Sequence, residues 1–265
     1  LSLVSLREVC LQESKLAAVS PAIVSDTCGA DFQDFFALLA TGTRGGIILA
    51  WRRDGISLSN PDIGLYHVTA LASVPGVAGH WWLTGVYGPQ RDEDKLAFLA
   101  ELHAARSLCA GPWLIGGDFN MIATAEDKSN DHLHWGMMSR FRCFIADEEL
   151  RDVYLHDRRY TWSSERDSPT LERIDRALCT SGWATTHPNY FMRCLSSMVS
   201  DHAPLLIDCI SRTPGPRGFH FEKFWLDIDG FHETVADAWN SCPADEDPFR
   251  RIFSRLKFTI KCLQS

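Results

Sequence analysis

Four polar clusters in this 265-residue chain place carboxylates and one histidine at the ends of apolar runs. Gln12-Glu13 closes a run that begins at Arg7. Asp118-Phe119-Asn120 leaves the buried-looking stretch Trp113–Gly117 (WLIGG). Arg173-Ile174-Asp175 opens a run that ends at Leu178. Ser200-Asp201-His202 stands before Ala203–Ile210 (APLLIDCI). In layered α/β proteins functional side chains gather where strands end, because loops there vary on a rigid base. Three acidic clusters and an imidazole meeting on one rim suit a hard cation with oxygen ligands. Each cluster also has a plain structural reading. Glu13 reads as a solvated strand end, and Asp118-Phe119-Asn120 as a turn of the kind Asp and Asn favour. Asp175 reads as half of a surface ion pair with Arg173 or Arg176, and His202 as a structural histidine. The spacing is not local, so residue types alone leave both readings open.

Positioning such clusters requires strands and helices in turn. Short apolar runs predict strands at Arg7–Gln12, Gly45–Trp51, Leu65–Ser73, Trp81–Tyr87, Trp113–Gly117 and Ala203–Ile210. Gly88-Pro89 stops one of them, as a turn would. Arg159–Ser164 and Leu171–Leu178 read as a hairpin. Helical spacing of Phe98, Leu102, Ala105 and Cys109, with acidic residues at the start, predicts a helix over Asp92–Cys109. A second is expected over Trp135–Glu148. Glycine and proline cluster around Pro214 and Pro216, and the boundary of the first domain is placed at residue 213. Beyond it the pattern is helical. Phe231, Val235 and Ala238 share one face. Phe249, Ile252, Phe253, Leu256 and Ile260 share another, opposite Arg250, Arg251, Arg255 and Lys261.

Composition narrows the classes. Hydrophobic residues make up 45% of the chain, enough for one large core or two small ones. No apolar run approaches the roughly 18 residues of a membrane helix. Arg7 and Glu8 interrupt the region where a secretion signal needs its apolar centre, so a nuclear or cytoplasmic protein is expected rather than a secreted one. The nine cysteines are odd in number, scattered and without a CxxC, which fits reduced thiols better than zinc or disulfides. The net charge of −8 argues against a simple nucleic-acid binder, whose phosphate contacts need a basic face. A carboxylate cluster holding a divalent cation would itself make a nuclease acidic.

The wording around the four clusters resembles the endonuclease/exonuclease/phosphatase superfamily. Cys10-Leu11-Gln12-Glu13-Ser14-Lys15 is similar to its QE(T/S)K strand end, and Tyr87-Gly88-Pro89 to its tyrosine turn. Gly117-Asp118-Phe119-Asn120 matches its GDFN motif, Arg173-Ile174-Asp175-Arg176 its (R/K)(L/I)D strand, and Ser200-Asp201-His202 its SDH motif, all in the family's order. Thr84–Pro89, Glu126–Ser129, Tyr160–Ser163 and Phe219–Leu226 (FHFEKFWL) resemble the endonuclease domain of plant LINE-type retrotransposon polyproteins more closely still.

The resemblance implies a four-layer α/β sandwich, two packed and mainly antiparallel sheets flanked by helices, over residues 1–213. Residues 214–265 would then be a helical linker toward a reverse transcriptase domain in cis. It implies a Mg²⁺-dependent phosphodiester hydrolase, with Mn²⁺ as a substitute, that nicks a target DNA duplex and leaves a 3′-hydroxyl. Glu13, Asp118 and Asp201 would bind or assist the metal. Asp118 would position or deprotonate the attacking water, and Asn120 would hold that water or a phosphate oxygen. Tyr87 would hydrogen-bond the scissile phosphate. Asp175 would fix the tautomer of His202, which would contact the phosphate or serve as the base in place of Asp118. The family's opening strand, with its N-x-(R/N)-G-L-type asparagine, is not found. Residues 1–6 are similar to the end of the helix after that strand, so the domain is expected to be truncated at its N-terminus. Two other functions compete: a catalytically inactive retroelement remnant, and a phosphomonoesterase of the same superfamily.

Overall fold

The structure, a computed structural model, describes residues 7–42, 44–77, 79–164, 168–195, 197, 200–209, 225–226, 228–242 and 248–263. The expected helix end at 1–6, the Pro214–Pro216 cluster and most of Phe219–Leu226 lie outside the described residues. The chain begins with β1 (Glu8–Leu11), α1 (Pro21–Cys28), β2 (Asp34–Leu38) and β3 (Ile47–Trp51). It continues through β4 (Ser57–Ile63), β5 (His67–Ser73), β6 (Trp81–Tyr87), α2 (Asp92–Leu108) and β7 (Trp113–Asp118). Next come α3 (Trp135–Asp147), β8 (Leu150–Asp152), β9 (Trp162–Ser163), β10 (Leu171–Glu172) and β11 (Asp175–Thr180). Then follow α4 (Ser181–Thr186), β12 (Phe191–Cys194), β13 (Leu205–Asp208), α5 (Phe231–Ser241) and α6 (Pro248–Leu263).

A six-stranded sheet ordered β4-β5-β6-β7-β11-β8 forms the centre. Every pairing in it is antiparallel except β6 with β7. A parallel pair needs a crossover, and α2 supplies it. A three-stranded sheet, β1-β3-β2, and the β12-β13 pair form the second layer. Strand alternation shows how the layers bind. On β3, Ile47, Leu49 and Trp51 pack toward Val68, Ala70 and Ala72 of the large sheet, while Ile48 and Ala50 pack toward Val24 of α1. On β7, Trp113 and Ile115 face Phe98, Leu102, Phe141 and Phe144 of α2 and α3; Leu114 faces Trp183, Met192 and Cys194. A strand covered on both faces reads as a continuous apolar run, which is why IILAW and WLIGG stood out. The order α2/α3, large sheet, small sheets, α1 is the expected four-layer sandwich.

The expected hairpin is only partly formed. β9 and β10 pair over two residues each, then Arg173-Ile174 diverts the chain and β11 joins the large sheet between β7 and β8. The Thr161 hydroxyl accepts the Ile174 and Asp175 amide protons (3.2 and 3.1 Å), which fixes the diversion. All nine cysteines are free thiols. Two compact units divide the chain: Leu1–Leu195 with Asp201–Ile210, and Ser196–Ser200 with Ser211–Ser265. In the second, Arg255 lies over the Trp239 ring at 5.6 Å, joining α6 to α5. No helix among the described residues is long and apolar enough to cross a membrane.

Candidate active site

Register alone brings three of the expected residues together. The parallel pairing sets Tyr87 beside Asp118, and the antiparallel one sets Asp175 beside Asp118. Paired residues on neighbouring strands project to the same face. That face is the inner one, since Tyr87 packs with Ile47 and Leu49, and Ala177, two residues from Asp175, packs with Leu114. A slip of one residue would turn all three outward and bury none of the apolar partners.

Glu13 arrives from the second layer, just beyond β1. Its backbone is left-handed (φ 56°), Ser14 N–H bonds Gly46 C=O at 3.1 Å, and Lys15 Nζ meets Glu13 Oε1 at 2.7 Å. Gly45 makes this approach possible: a Cβ there would lie 2.8 Å from Glu13 Cα and 2.9 Å from Tyr87 Cε1. Burial, then the charges of Glu13 and Asp118, hold the Tyr87 phenol far above its ordinary range. It is therefore a neutral hydroxyl able to donate.

Asp118 is buried, and Asn120 holds it. The Asn120 backbone N–H donates to Oδ1 (2.8 Å) and its Nδ2 to Oδ2 (2.9 Å); Nδ2 also donates to Gly88 C=O (2.8 Å). Both amide protons of Asn120 are thus committed to the protein. In this arrangement Asn120 positions Asp118 and offers water an acceptor, not a phosphate oxygen a donor. Burial and the adjacent Asp175 push the Asp118 carboxyl up to about 7, against the pull of His202.

His202 Nδ1 contacts Asp175 Oδ2 at 2.9 Å and Oδ1 at 3.1 Å, the pairing that fixes a tautomer. Burial opposes its charge, but the hydrogen bond and charge of Asp175 outweigh it and raise the imidazole to about 9. Asp175 pairs with neither neighbouring arginine, contrary to the surface ion-pair reading. Arg173 binds Asp152 (2.7 Å), and buried Arg176 binds Asp127 and Asp152, tying β11 to β8.

Asp201 stands at the rim. Its Oδ2 accepts the Trp162 indole N–H at 2.8 Å, and the Trp162 and His202 rings lie 6.5 Å apart. Residue types did not reveal this contact; the Tyr160–Ser163 wording contained Trp162 but assigned it no role.

The model of the Endonuclease/Exonuclease/phosphatase family matches residues 9–202. The chain belongs to this family. A curated relative, the "Transposon TX1 uncharacterized 149 kDa protein" of Xenopus laevis, is 27% identical over 179 residues, covering 64% of this chain. The chain spans 14% of that relative's length. Among solved structures, the endonuclease domain of TRAS1, a telomere-specific non-LTR retrotransposon, superposes with a TM-score of 0.54. It has 17% identity over 74% of this chain and 93% of its own. A humanized TDP2 of D. rerio gives a TM-score of 0.53 and 16% identity, over 77% of this chain and 85% of its own. These likenesses place the fold within the endonuclease/exonuclease/phosphatase sandwich.

The carboxylates of Asp118 and Glu13 are oxygen donors of the kind a hard divalent cation takes. Ligand atoms of Asp118, Asp175 and His202 lie within 4.8 Å of one another, and Glu13 adds a carboxylate close enough to raise Asp118. Of the expected metal residues Glu13, Asp118 and Asp201, only Asp118 belongs to that tight cluster. Asp175 is engaged by the histidine, and Asp201 by Trp162.

Proposed function

We propose that this chain is a divalent-metal-dependent phosphodiester hydrolase, the DNA-nicking endonuclease domain of a LINE-type retroelement. The observation that carries the reading is the His202–Asp175 pair set against the Asp118–Asn120 pair on neighbouring strand ends. Glu13 and Asp118 would hold Mg²⁺, with Asp201 assisting; the ion would supply charge for the developing phosphorane and lower the acidity barrier of a water. Asp118, oriented by the two Asn120 hydrogen bonds, is the group placed to position the attacking water and accept its proton. His202, held by Asp175 through Nδ1, would turn its other nitrogen to a non-bridging phosphate oxygen. Neutral Tyr87 donates to the same phosphate. Asn120 and Asp175 position Asp118 and His202. The products of in-line attack would be a 5′-phosphate and a 3′-hydroxyl end.

The similarity to a transposon protein and to a retrotransposon endonuclease domain supports DNA as the substrate; a reverse transcriptase in cis is what the sequence resemblance implies. The test is nicking of supercoiled plasmid. Nicking should require Mg²⁺ or Mn²⁺ and stop with excess EDTA. His202→Ala and Asp118→Asn should each slow it by at least ~10²-fold. Turnover surviving the chelator refutes the metal assignment. A pure, folded chain that nicks nothing but hydrolyses a phosphomonoester would favour the phosphatase reading; one that does neither would favour an inactive remnant.

A further inference from the structure

Arg44 has no role in the chemistry above, yet it sits at the rim of the same site. It precedes Gly45, the residue in closest approach to Glu13 and Tyr87. Its guanidinium lies 5.8 Å above the Tyr66 ring, and Tyr66 C=O accepts the Tyr87 backbone N–H at 3.0 Å. The cation is therefore held beside the phosphate-facing tyrosine, at the same strand ends. Several other arginines of this unit are paired with carboxylates: Arg52 with Asp54, Arg53 with Asp34, Arg173 with Asp152, and Arg176 with Asp127, although the last two also keep a buried Nε without a hydrogen-bond partner. Arg44 forms no ion pair among the described residues, and its buried Nε has no hydrogen-bond partner. A buried guanidinium N–H without an acceptor costs free energy unless a ligand completes it. In a chain of net charge −8, an uncommitted cation beside an acidic cleft is where an anion would be drawn.

We propose that Arg44 binds a backbone phosphate flanking the scissile one, using the planar fork that guanidinium presents to phosphate oxygens. The stacking on Tyr66 orients that fork in advance. The proposal rests on the nucleic-acid reading of the site, but it is a claim about binding and needs no turnover.

The experiment measures anisotropy of a fluorescein-labelled DNA duplex with the full chain in EDTA, across a salt series. Each phosphate contact contributes roughly 0.9 to the slope of log K against log salt on duplex DNA. Arg44→Gln should weaken binding several-fold and reduce that slope by about one, at all sequences alike. Arg44→Lys should keep the slope, because a point charge still pairs with phosphate, while binding less tightly. Melting curves of both variants, matched to the native chain, exclude a folding effect. An unchanged slope in Arg44→Gln, or a slope lost equally in Arg44→Lys, overturns the assignment. Native protein that binds with a normal slope but never nicks would sink the hydrolase reading and leave Arg44 standing. Native protein that nicks while Arg44→Gln binds unaltered would sink Arg44 alone.

Discussion

Asp175 has no direct role in bond breaking in this arrangement; it acts through His202. Removing its charge while keeping its shape should therefore cost less than removing the imidazole. Asp175→Asn should slow nicking by roughly tenfold, against ~10²-fold for His202→Ala. In the doubly altered chain the Asp175 effect should nearly vanish, since orientation of an absent ring is worth nothing. Fully multiplicative losses would mean Asp175 touches metal or substrate itself. Trp162 invites a parallel measurement. Trp162→Phe keeps the ring beside His202 and deletes the 2.8 Å bond to Asp201. It should lower kcat several-fold at unchanged KM, and add nothing once Asp201→Ala is present; a shift confined to KM would instead make the indole a substrate contact. At this scale the sequence spoke clearly where a motif carried the residue, as with Glu13, Asp118 and His202. It was silent on Trp162 and Arg44, whose meaning lies in partners more than twenty positions away, and on how Asn120 spends its amide protons.

Elements were legible in proportion to how completely they are buried. The Trp81–Tyr87 strand was read to the residue, and the α2 helix to within one, because apolar periodicity and acidic caps agree there. β4 was not seen. It carries Asn60 in a left-handed conformation (φ 50°) and Pro61, which cannot donate to a ladder. The sheet accommodates both by making β4 an edge strand, with the register shifting between Ser59 and Asp62. β2 and β12 were missed, and so was α1, because its Ser20-Pro21 start signal precedes only eight helical residues. Where β7 meets β6, Gly117 is the sensitive point. Its φ is 139°, and a Cβ would stand 2.2 Å from Val86 C=O. Gly117→Ala should cost more than ~2 kcal/mol and displace Asp118, combining strain with a backbone clash. A variant melting like the native chain with full activity would show that this strand end yields easily.

The edge of the large sheet also holds a pH-dependent clamp. His67, buried on β5, contacts Glu101 of α2 (2.8 Å) and Asp62 of β4 (3.2 Å). Burial disfavours its charge, but the two carboxylates outweigh that and raise its pKa above 6.5. Burial likewise works against Glu101, yet the His67 bond and the Tyr66 N–H bring it below its ordinary value. The signs set the window. His67 contributes fully below its unfolded pKa, and that contribution is lost as pH rises through the folded one. Glu101 contributes above its unfolded pKa, and that is lost as pH falls through the folded one. Denaturant unfolding should therefore show a larger stability gap between native protein and His67→Asn at pH 5.5 than at pH 8.5. Equal gaps at the two pH values would mean the histidine is neutral in the fold.

On the scale of the molecule, the question is what the residues after 213 contribute to the unit that carries the site. Among the described residues, the hydrophobic clusters of the first unit run from Val9 to Ile207. Within the second unit, Ile252, Phe253 and Leu256 are exposed on α6, so its apolar face, anticipated from helical spacing, is not the interior of that helix pair. The family model ends at residue 202, so the segment after 213 is expected to lie outside the fold that carries a domain's ~5–15 kcal/mol. Ending the chain at residue 213 should accordingly leave cooperative melting within a few degrees of the full chain, since roughly 1 kcal/mol moves the midpoint of a domain this size by about 2–4 °C. Plasmid nicking should persist at a comparable rate, and solubility should rise as the exposed α6 residues are removed. Melting curves and nicking of the two lengths, side by side, decide it. If the shorter chain unfolds or loses its cooperative transition, the helices belong to the nuclease domain and the boundary at 213 is misplaced.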